Sequence, residues 1–523
     1  MPKLRAKPTV PVTLTFEIKR TALLLLTVAL GACSTVNFDH PKTESYAITD
    51  VGNSELGEVN SDWIAEHENR SGFYPLIDGL DALGARLRMI DLAEHSIDAQ
   101  YFLMKGDSAG EVFAGRLLEA ADRGVRVRFL LDDVFTTVKD NELALLHQHK
   151  NIEVRLFNPV SRRGIYYLNY AGDFRRANRR MHNKSFTADN SVTVVGGRNI
   201  ADEYFQLKSD GIFLDFDMLV VGPVVQDVSE QFDEFWNHPL AVPMDGLEQR
   251  ITEDDLEQAR LEINEELQKQ EDSVYYRAVN TPHMLELVNG NGNVFPADAF
   301  LLKDAPEKFN QSTKNTDGFL VNDLARIISE AESSVVIINP YFIPRLSGME
   351  FWKSILDKGV KVTVITNSLA STNHIPVHSA YSRYRKPMLN AGAEIYEIRA
   401  NASTAPSYNT EDEPEALTLH TKLIVIDEKR LFVGSLNLDP RSININSEMG
   451  LIIDSEEMAG KFLLELEEDI ESLAYQLKLN EKNKLQWRTS IDDQPVTANK
   501  EPLSSGWRRF LAQIYKLLPE GQL

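Results

Sequence analysis

Hydrophobic and polar positions along this chain fall into a pattern that occurs twice. Ser96 to Phe102 is a short, largely apolar run ending in Tyr101-Phe102, and Ser334 to Phe342 is another, ending in Tyr341-Phe342. Each leads into a helical pattern that closes on a basic residue and a glycine: Leu117 to Arg123-Gly124, and Ile355 to Lys358-Gly359. Apolar-rich strands follow at once, at 125–131 and 360–366. The glycines stand where a helix C-terminus takes a left-handed residue. Strand, helix, strand in that order predicts a parallel or mixed sheet with helices packed outside it. The expectation is an α/β chain whose architecture is built twice.

Polar residues inside this frame repeat as well. His182, Lys184 and Asp189 spell H-x-K-x-x-x-x-D, and His420, Lys422 and Asp427 spell it again. Gly196-Gly197-Arg198-Asn199 follows the first string and Gly434-Ser435-Leu436-Asn437 the second. Both His-to-Asn spans are 17 residues (199 − 182 and 437 − 420), and the copies are offset by 238 (420 − 182). A period of that size means a duplicated domain rather than a solenoid.

In an extended context a His and a Lys two residues apart share a face. Two such faces across a pseudo-twofold would surround one phosphate with two imidazoles and two ammonium groups. One imidazole can attack phosphorus while the other protonates the departing alkoxide and later activates an alcohol or water. The lysines and the Asn199 and Asn437 amides would stabilise charge growing on the non-bridging oxygens. Lysines supply the positive charge, and the sequence holds no compact His/Asp/Cys ligand cluster, so neither metal nor cofactor is expected. Asp189 and Asp427, each four residues beyond its lysine's neighbour, read as holding the turns rather than moving protons.

Length and charge narrow the setting. At 523 residues the chain can hold two large domains or one pseudo-dimeric body. Lys plus Arg is 55 against Asp plus Glu at 78, a net charge of −23, which speaks against an extended nucleic-acid-binding face. The one cysteine, Cys33, follows a positive segment at Lys19-Arg20 and a short apolar run at 23–30. That is the order of a secretory signal, and the run is about half the ~20 residues a membrane span needs.

The chain divides into a signal at 1–33, a tether at 34–72, a first domain at 73–245, a connector at 246–315, a second domain at 316–480 and a tail at 481–523. The connector carries an acidic surface helix at 253–270, and 401–415 is a loop. In the tail, Trp507, Phe510, Leu511, Ile514 and Leu518 fall on one helical face, with Arg508, Arg509 and Lys516 elsewhere. Such a helix either lies in a membrane interface or docks on the protein's own core.

The doubled H-x-K string with its glycine and asparagine turns resembles the phospholipase D superfamily. The phrases RRMHNKSFTAD, VGGRNI, GPVVQDV, ITNSLA and SLNLDPRSININSEMG are similar, within it, to bacterial cardiolipin synthases of the C type, from about Ile77 to about Phe462. The resemblance implies two phospholipase D-like domains, each a mixed β-sheet flanked by helices, with the active site between them. It implies a phosphatidyl transferase that makes cardiolipin from phosphatidylglycerol and a second phospholipid through a phosphohistidine. Hydrolysis by water, as a phospholipase D or phosphodiesterase, uses the same motifs and stays open. So does a non-catalytic envelope lipoprotein.

By the same resemblance His182 is the nucleophile, His420 the acid and base, and Glu448 the partner of a catalytic histidine. For its first-half counterpart Asp215 fits best and Asp217 is the close rival; neither reproduces the Glu448 spacing. The family's Ser beside Gly is Gly197 in the first copy, whereas Ser435 keeps it, leaving one hydroxyl near the phosphate. Arg175, Arg176, Arg179 and Arg180 run into His182, and His378, Arg383, Arg385 and Lys386 precede the second motif. Such clusters suit anionic headgroups, because arginine grips phosphate with paired donors. Leu30-Gly31-Ala32-Cys33 resembles a bacterial lipobox, which makes Cys33 the lipid-bearing first residue of a mature envelope protein facing the periplasm. Ser34 after it leans towards the outer membrane. The partners expected are phospholipids at a membrane surface, with no nucleic acid and no expectation about oligomeric state.

Overall fold

A computed structural model describes residues 36–162, 166–207, 211–247, 252–267, 273–313, 316–402, 417–491 and 494–522. In the first half, strands Ser96–Tyr101, Arg126–Asp132 and Ile152–Phe157 run parallel, with helices Ser108–Arg123 and Asp140–Gln148 between them in sequence. Antiparallel strands Ser185–Ala188, Val192–Gly196, Asp217–Val221 and Ser71–Leu76 extend the sheet on one side. The second half repeats the plan. Ser334–Ile338, Lys361–Asn367 and Glu394–Ile398 are parallel. Leu423–Ile426, Arg430–Gly434, Met449–Asp454 and Phe295–Lys303 are the antiparallel extension. Gly124 and Gly359 take φ of 106° and 89°, the left-handed backbone that the helix ends require.

The equivalent edge strands of the two halves pair with each other, Phe73 opposite Phe295 and Ser71 opposite Ala297. Two sheets become one continuous sheet, of 18 strands among the described residues. Alternate strand positions feed different cores. Phe432 packs under the second half's own helices, while Leu431 and Val433 enter a core shared with Phe73, Met218 and Val220 of the first half. The halves are therefore fused by burial as well as by strand pairing.

Three expected boundaries move. Phe295–Lys303 falls inside 246–315, so that stretch is not only a connector: it supplies the first strand of the second sheet. Helix Glu253–Leu267 does lie there, pinned to the first half by buried Ile263 and a Lys139–Glu262 ion pair at 2.8 Å. The tail is not free either. Strands Ala474–Leu479, Leu485–Ile491 and Gln494–Ala498 continue the sheet beyond Glu394–Ile398. The tether expected at 34–72 includes helix Glu55–Glu66, and its polar stretch is laid against the first half. Buried Arg155 and Arg128 donate to the carbonyls of Thr43 and Ser45 at 2.6 and 2.7 Å, since buried guanidinium groups must find acceptors.

The repeated Tyr-Phe ending also shifts. The bridges Met104–Ile200 and Phe342–Leu438 are equivalent, so Met104 and not Phe102 is the counterpart of Phe342. Helix Gly506–Tyr515 packs on helix Ile375–Tyr381, buries Ala512, and leaves Trp507, Phe510 and Ile514 at 66, 52 and 43% exposure. No helix among the described residues is long and apolar enough to cross a membrane. Cys33, the signal before it and most of the expected loop at 401–415 lie outside the described residues.

Candidate active site

Each H-x-K triplet is an extended segment that runs into a fully buried central strand, Ser185–Ala188 or Leu423–Ile426. Its backbone is docked on the other half. His182 N–H donates to the carbonyl of Ser447 at 3.0 Å, and His420 N–H to that of Leu214 at 2.7 Å. The residue after each acceptor is a carboxylate. Glu448 Oε2 lies 2.8 Å from His182 Nδ1, and Asp215 Oδ2 lies 2.5 Å from His420 Nδ1. Each half thus orients the histidine of the other. Asp217, the rival to Asp215, is instead paired with buried Arg86 at 2.8 Å and accepts from the Arg198 amide at 3.1 Å.

The two His/Lys pairs are buried. His182, Lys184, His420 and Lys422 are 6, 1, 5 and 1% exposed. Lys184 Nζ donates to the His182 carbonyl at 2.7 Å, and Lys422 Nζ to that of His420. Lys422 Nζ also lies 2.8 Å from His420 Nδ1, the nitrogen that Asp215 holds. Two donors cannot share that point, so the Nδ1–H goes to the carboxylate and the ammonium to the carbonyl. Phe102 meets the His182 ring edge-on at 4.7 Å, and Phe213 stacks on His420 at 5.2 Å.

Electrostatics follow from this crowding. Burial, then the Lys184 and Lys422 charges, hold His182 well below its ordinary range. Burial and Lys422 bring His420 down to about 3. Burial lowers Lys184 to about 7 and Lys422 to about 8. The carboxyls diverge. Burial raises Glu448 to about 7, whereas Lys422 and His420 overcome burial and hold Asp215 at about 2. A buried group of cations whose lysines titrate near neutrality is a site suited to an anion.

The other expected residues divide. Asn437 Oδ1 is buried without a hydrogen-bond partner among the described residues, but Asn199 is engaged, donating to Tyr204 Oη at 2.9 Å and accepting from the Leu103 amide. Ser435 Oγ donates to Glu448 Oε2 at 2.5 Å, so this hydroxyl braces the carboxylate. Asp189 accepts from the amides of Glu94, His95 and Ser96, and Asp427 from those of Glu332, Ser333 and Ser334. Both tie the far ends of the central strands, away from the histidines.

The arginine clusters are corrected. Arg180 is fully buried and spends its donors on Asp132, Asn158 and its own neighbour's carbonyl. Arg385 is buried against Glu397 and Glu501, each at 2.6 Å. Arg383 pairs with Glu520 at 2.5 Å. Arg179 donates to the Lys308 and Gln311 carbonyls, both at 2.7 Å, yet borders an open pocket. Runs of arginine look alike in sequence whether they face solvent or hold the fold. Sequence reasoning passed over Arg441, whose charge bears on His182, and over Tyr204 and Phe213 beside His420. Arg441 sits in the phrase LDPRS directly after Asn437, and that proximity was the available signal.

Comparison with known proteins agrees with this geometry. Residues 87–236 and 324–470 match the family described as "Cardiolipin synthase, PLD-like domain". Cardiolipin synthase C of Escherichia coli (strain K12) is 38% identical over 463 residues, covering 87% of this chain and 96% of that protein. An uncharacterized protein of Helicobacter pylori is 31% identical over 500 residues, covering 94% and 97%. Among solved structures, phosphatidylserine synthase of Haemophilus influenzae Rd KW20 shares the fold, with a TM-score of 0.52 at 13% identity over 80% of this chain and 91% of that one. Doubled domains, doubled motif and near full-length similarity together place the chain in the phospholipase D superfamily, as a cardiolipin synthase-like phosphatidyltransferase.

Proposed function

We propose that the protein moves the phosphatidyl group of phosphatidylglycerol onto a headgroup hydroxyl of a second phospholipid, giving cardiolipin through a phosphohistidine. The crossed His–carboxylate contacts carry the reading, because they hold both Nδ1 atoms and so make Nε2 the nitrogen that would react on each ring. Nε2 of His182 attacks phosphorus, and the P–O bond to the departing glycerol breaks. The His420 imidazolium gives its proton to that oxygen. Neutral His420 then takes the hydroxyl proton of the incoming alcohol, whose oxygen displaces Nε2 of His182.

The unequal carboxyls support this division of labour. Asp215, ionised beside His420, favours a ring that carries a proton; Glu448, raised towards neutrality, leaves His182 neutral and nucleophilic. A bound phosphodiester anion would draw both lysines into their charged form and lift His420 from its depressed range. Lipid on Cys33 and the exposed apolar face of helix Gly506–Tyr515 would keep the cleft at an envelope membrane.

Water in place of the alcohol would give phosphatidic acid by the same steps. Purified protein on phosphatidylglycerol vesicles, with products read by mass spectrometry, separates the outcomes. Cardiolipin and free glycerol are expected. Phosphatidic acid alone would make the protein a hydrolase, and no product at all would leave a non-catalytic lipoprotein.

A further inference from the structure

The product of this transfer carries two phosphates on one glycerol. An acceptor phospholipid therefore brings its own phosphodiester close to the reacting phosphorus, where Lys184 and Lys422 are already committed to the first phosphate. A hydrolase has no such second anion to hold.

A pocket of about 450 Å³ lies between the halves, bordered by Arg175, Asn178 and Arg179 of the first half, by Arg345 and Asn444 of the second, and by Gln522 of the tail. None of the described residues that line it carries a carboxylate side chain. Arg175 and Arg345 are exposed, and neither has an ion pair among the described residues, although their neighbours Arg176 and Arg180 do. Arg175 and Arg179 stand close enough for their charges to repel.

The pocket is linked to His182 through Arg441. Asn178 accepts two bonds from Arg441, at the side chain and at the carbonyl, both 2.8 Å, and the Arg441 charge reaches His182. Helix Pro440–Asn444 carries Arg441 at one end and the pocket residue Asn444 at the other. On the first-half side, the Arg180 carbonyl, two residues before His182, accepts from the Ser447 amide.

We propose that this pocket holds the phosphodiester of the acceptor phospholipid, with Arg175 and Arg345 as paired donors contributed by the two halves. The assignment rests on the reading of the protein as a transferase. It makes the pocket the element that chooses a phospholipid over water or a simple alcohol.

The test separates the two half-reactions in the full chain carrying Arg175→Ala and Arg345→Ala. A short-chain phosphatidyl p-nitrophenyl ester reports formation of the phosphatidyl-enzyme as a burst of p-nitrophenol. Short-chain phosphatidylglycerol and glycerol, which carries no phosphate, then compete as acceptors. The variant should keep the burst rate and the transfer to glycerol. Its apparent KM for the phosphatidylglycerol acceptor should rise about ten-fold or more, the usual loss of a hydrogen bond to a charged group. Arg175→Lys with Arg345→Lys should recover part of that loss. Equal slowing of the burst and of both acceptors would overturn the proposal, by assigning the arginines to the donor lipid or to the fold. An unchanged acceptor KM would overturn it too. A native protein that only hydrolyses would instead fail the transferase reading, and the acceptor pocket with it.

Discussion

Gly197 and Ser435 occupy the same place in the two halves, and each suits the carboxylate beside it. A Cβ at 197 would stand 2.1 Å from Asp215 Oδ1, so the shorter acid requires glycine there. At 435 the longer Glu448 leaves room for a hydroxyl that donates to it at 2.5 Å. Asp215→Asn and Glu448→Gln should each lower kcat by roughly 10²–10⁴ with little change in KM, as loss of an orienting carboxylate does in a catalytic triad. Asp217→Asn should show itself in thermal unfolding instead, because it leaves the buried Arg86 charge without its partner, at a cost of about 3–5 kcal/mol. A kcat loss at Asp217 with unchanged stability would reverse the assignment. The lysines predict a pH dependence. Their pKa values of about 7 and about 8 lie below the ordinary range and rise when an anion binds, so binding takes up protons. Substrate affinity should be full below about pH 7 and fall as pH climbs through about 8. Calorimetric titration with a short-chain phosphatidylglycerol at pH 8 in buffers of different ionisation heat should read proton uptake; release would contradict the account. The His/Lys/Asn sets were legible because spacing alone repeats them. The crossed pairing was not, since it joins residues 266 and 205 positions apart.

At the level of elements, the strands with apolar alternation were legible and the polar ones were not. Residues 42–47 carry no apolar period, yet they are ordered because Arg128 and Arg155 need carbonyl acceptors that only an adjoining backbone supplies. Leu485–Ile491 is only partly buried along its length, and its one buried residue, Trp487, decides its place. Trp487 donates to Glu397 at 2.8 Å, inside the cluster of Arg385, Glu397 and Glu501. Truncation after residue 480 removes Trp487 and Glu501 and leaves Arg385 and Glu397 buried with fewer partners. That chain should fail to fold, whereas Trp507→Ser, Phe510→Ser and Ile514→Ser together should keep the melting temperature. On vesicles the triple variant should lose more activity than on a soluble short-chain diester. Equal loss on both substrates would make the helix part of the core and end its membrane role.

For the molecule as a whole, the duplicated halves form one body rather than two domains on a string. The edge strands pair across the centre, the shared core takes side chains from both halves, and each half finishes the other's histidine. His182→Ala and His420→Ala should therefore each remove nearly all turnover on phosphatidylglycerol, with the double variant little worse. If one site uses two histidines in different roles, His420→Ala should still take its first step on a phosphatidyl p-nitrophenyl ester, whose leaving group needs no proton. A burst of one p-nitrophenol per chain, no further turnover, and the phosphatidyl group mapped to His182 are expected. Two equivalents per chain, continued turnover, or an adduct at any other residue would contradict that division of roles.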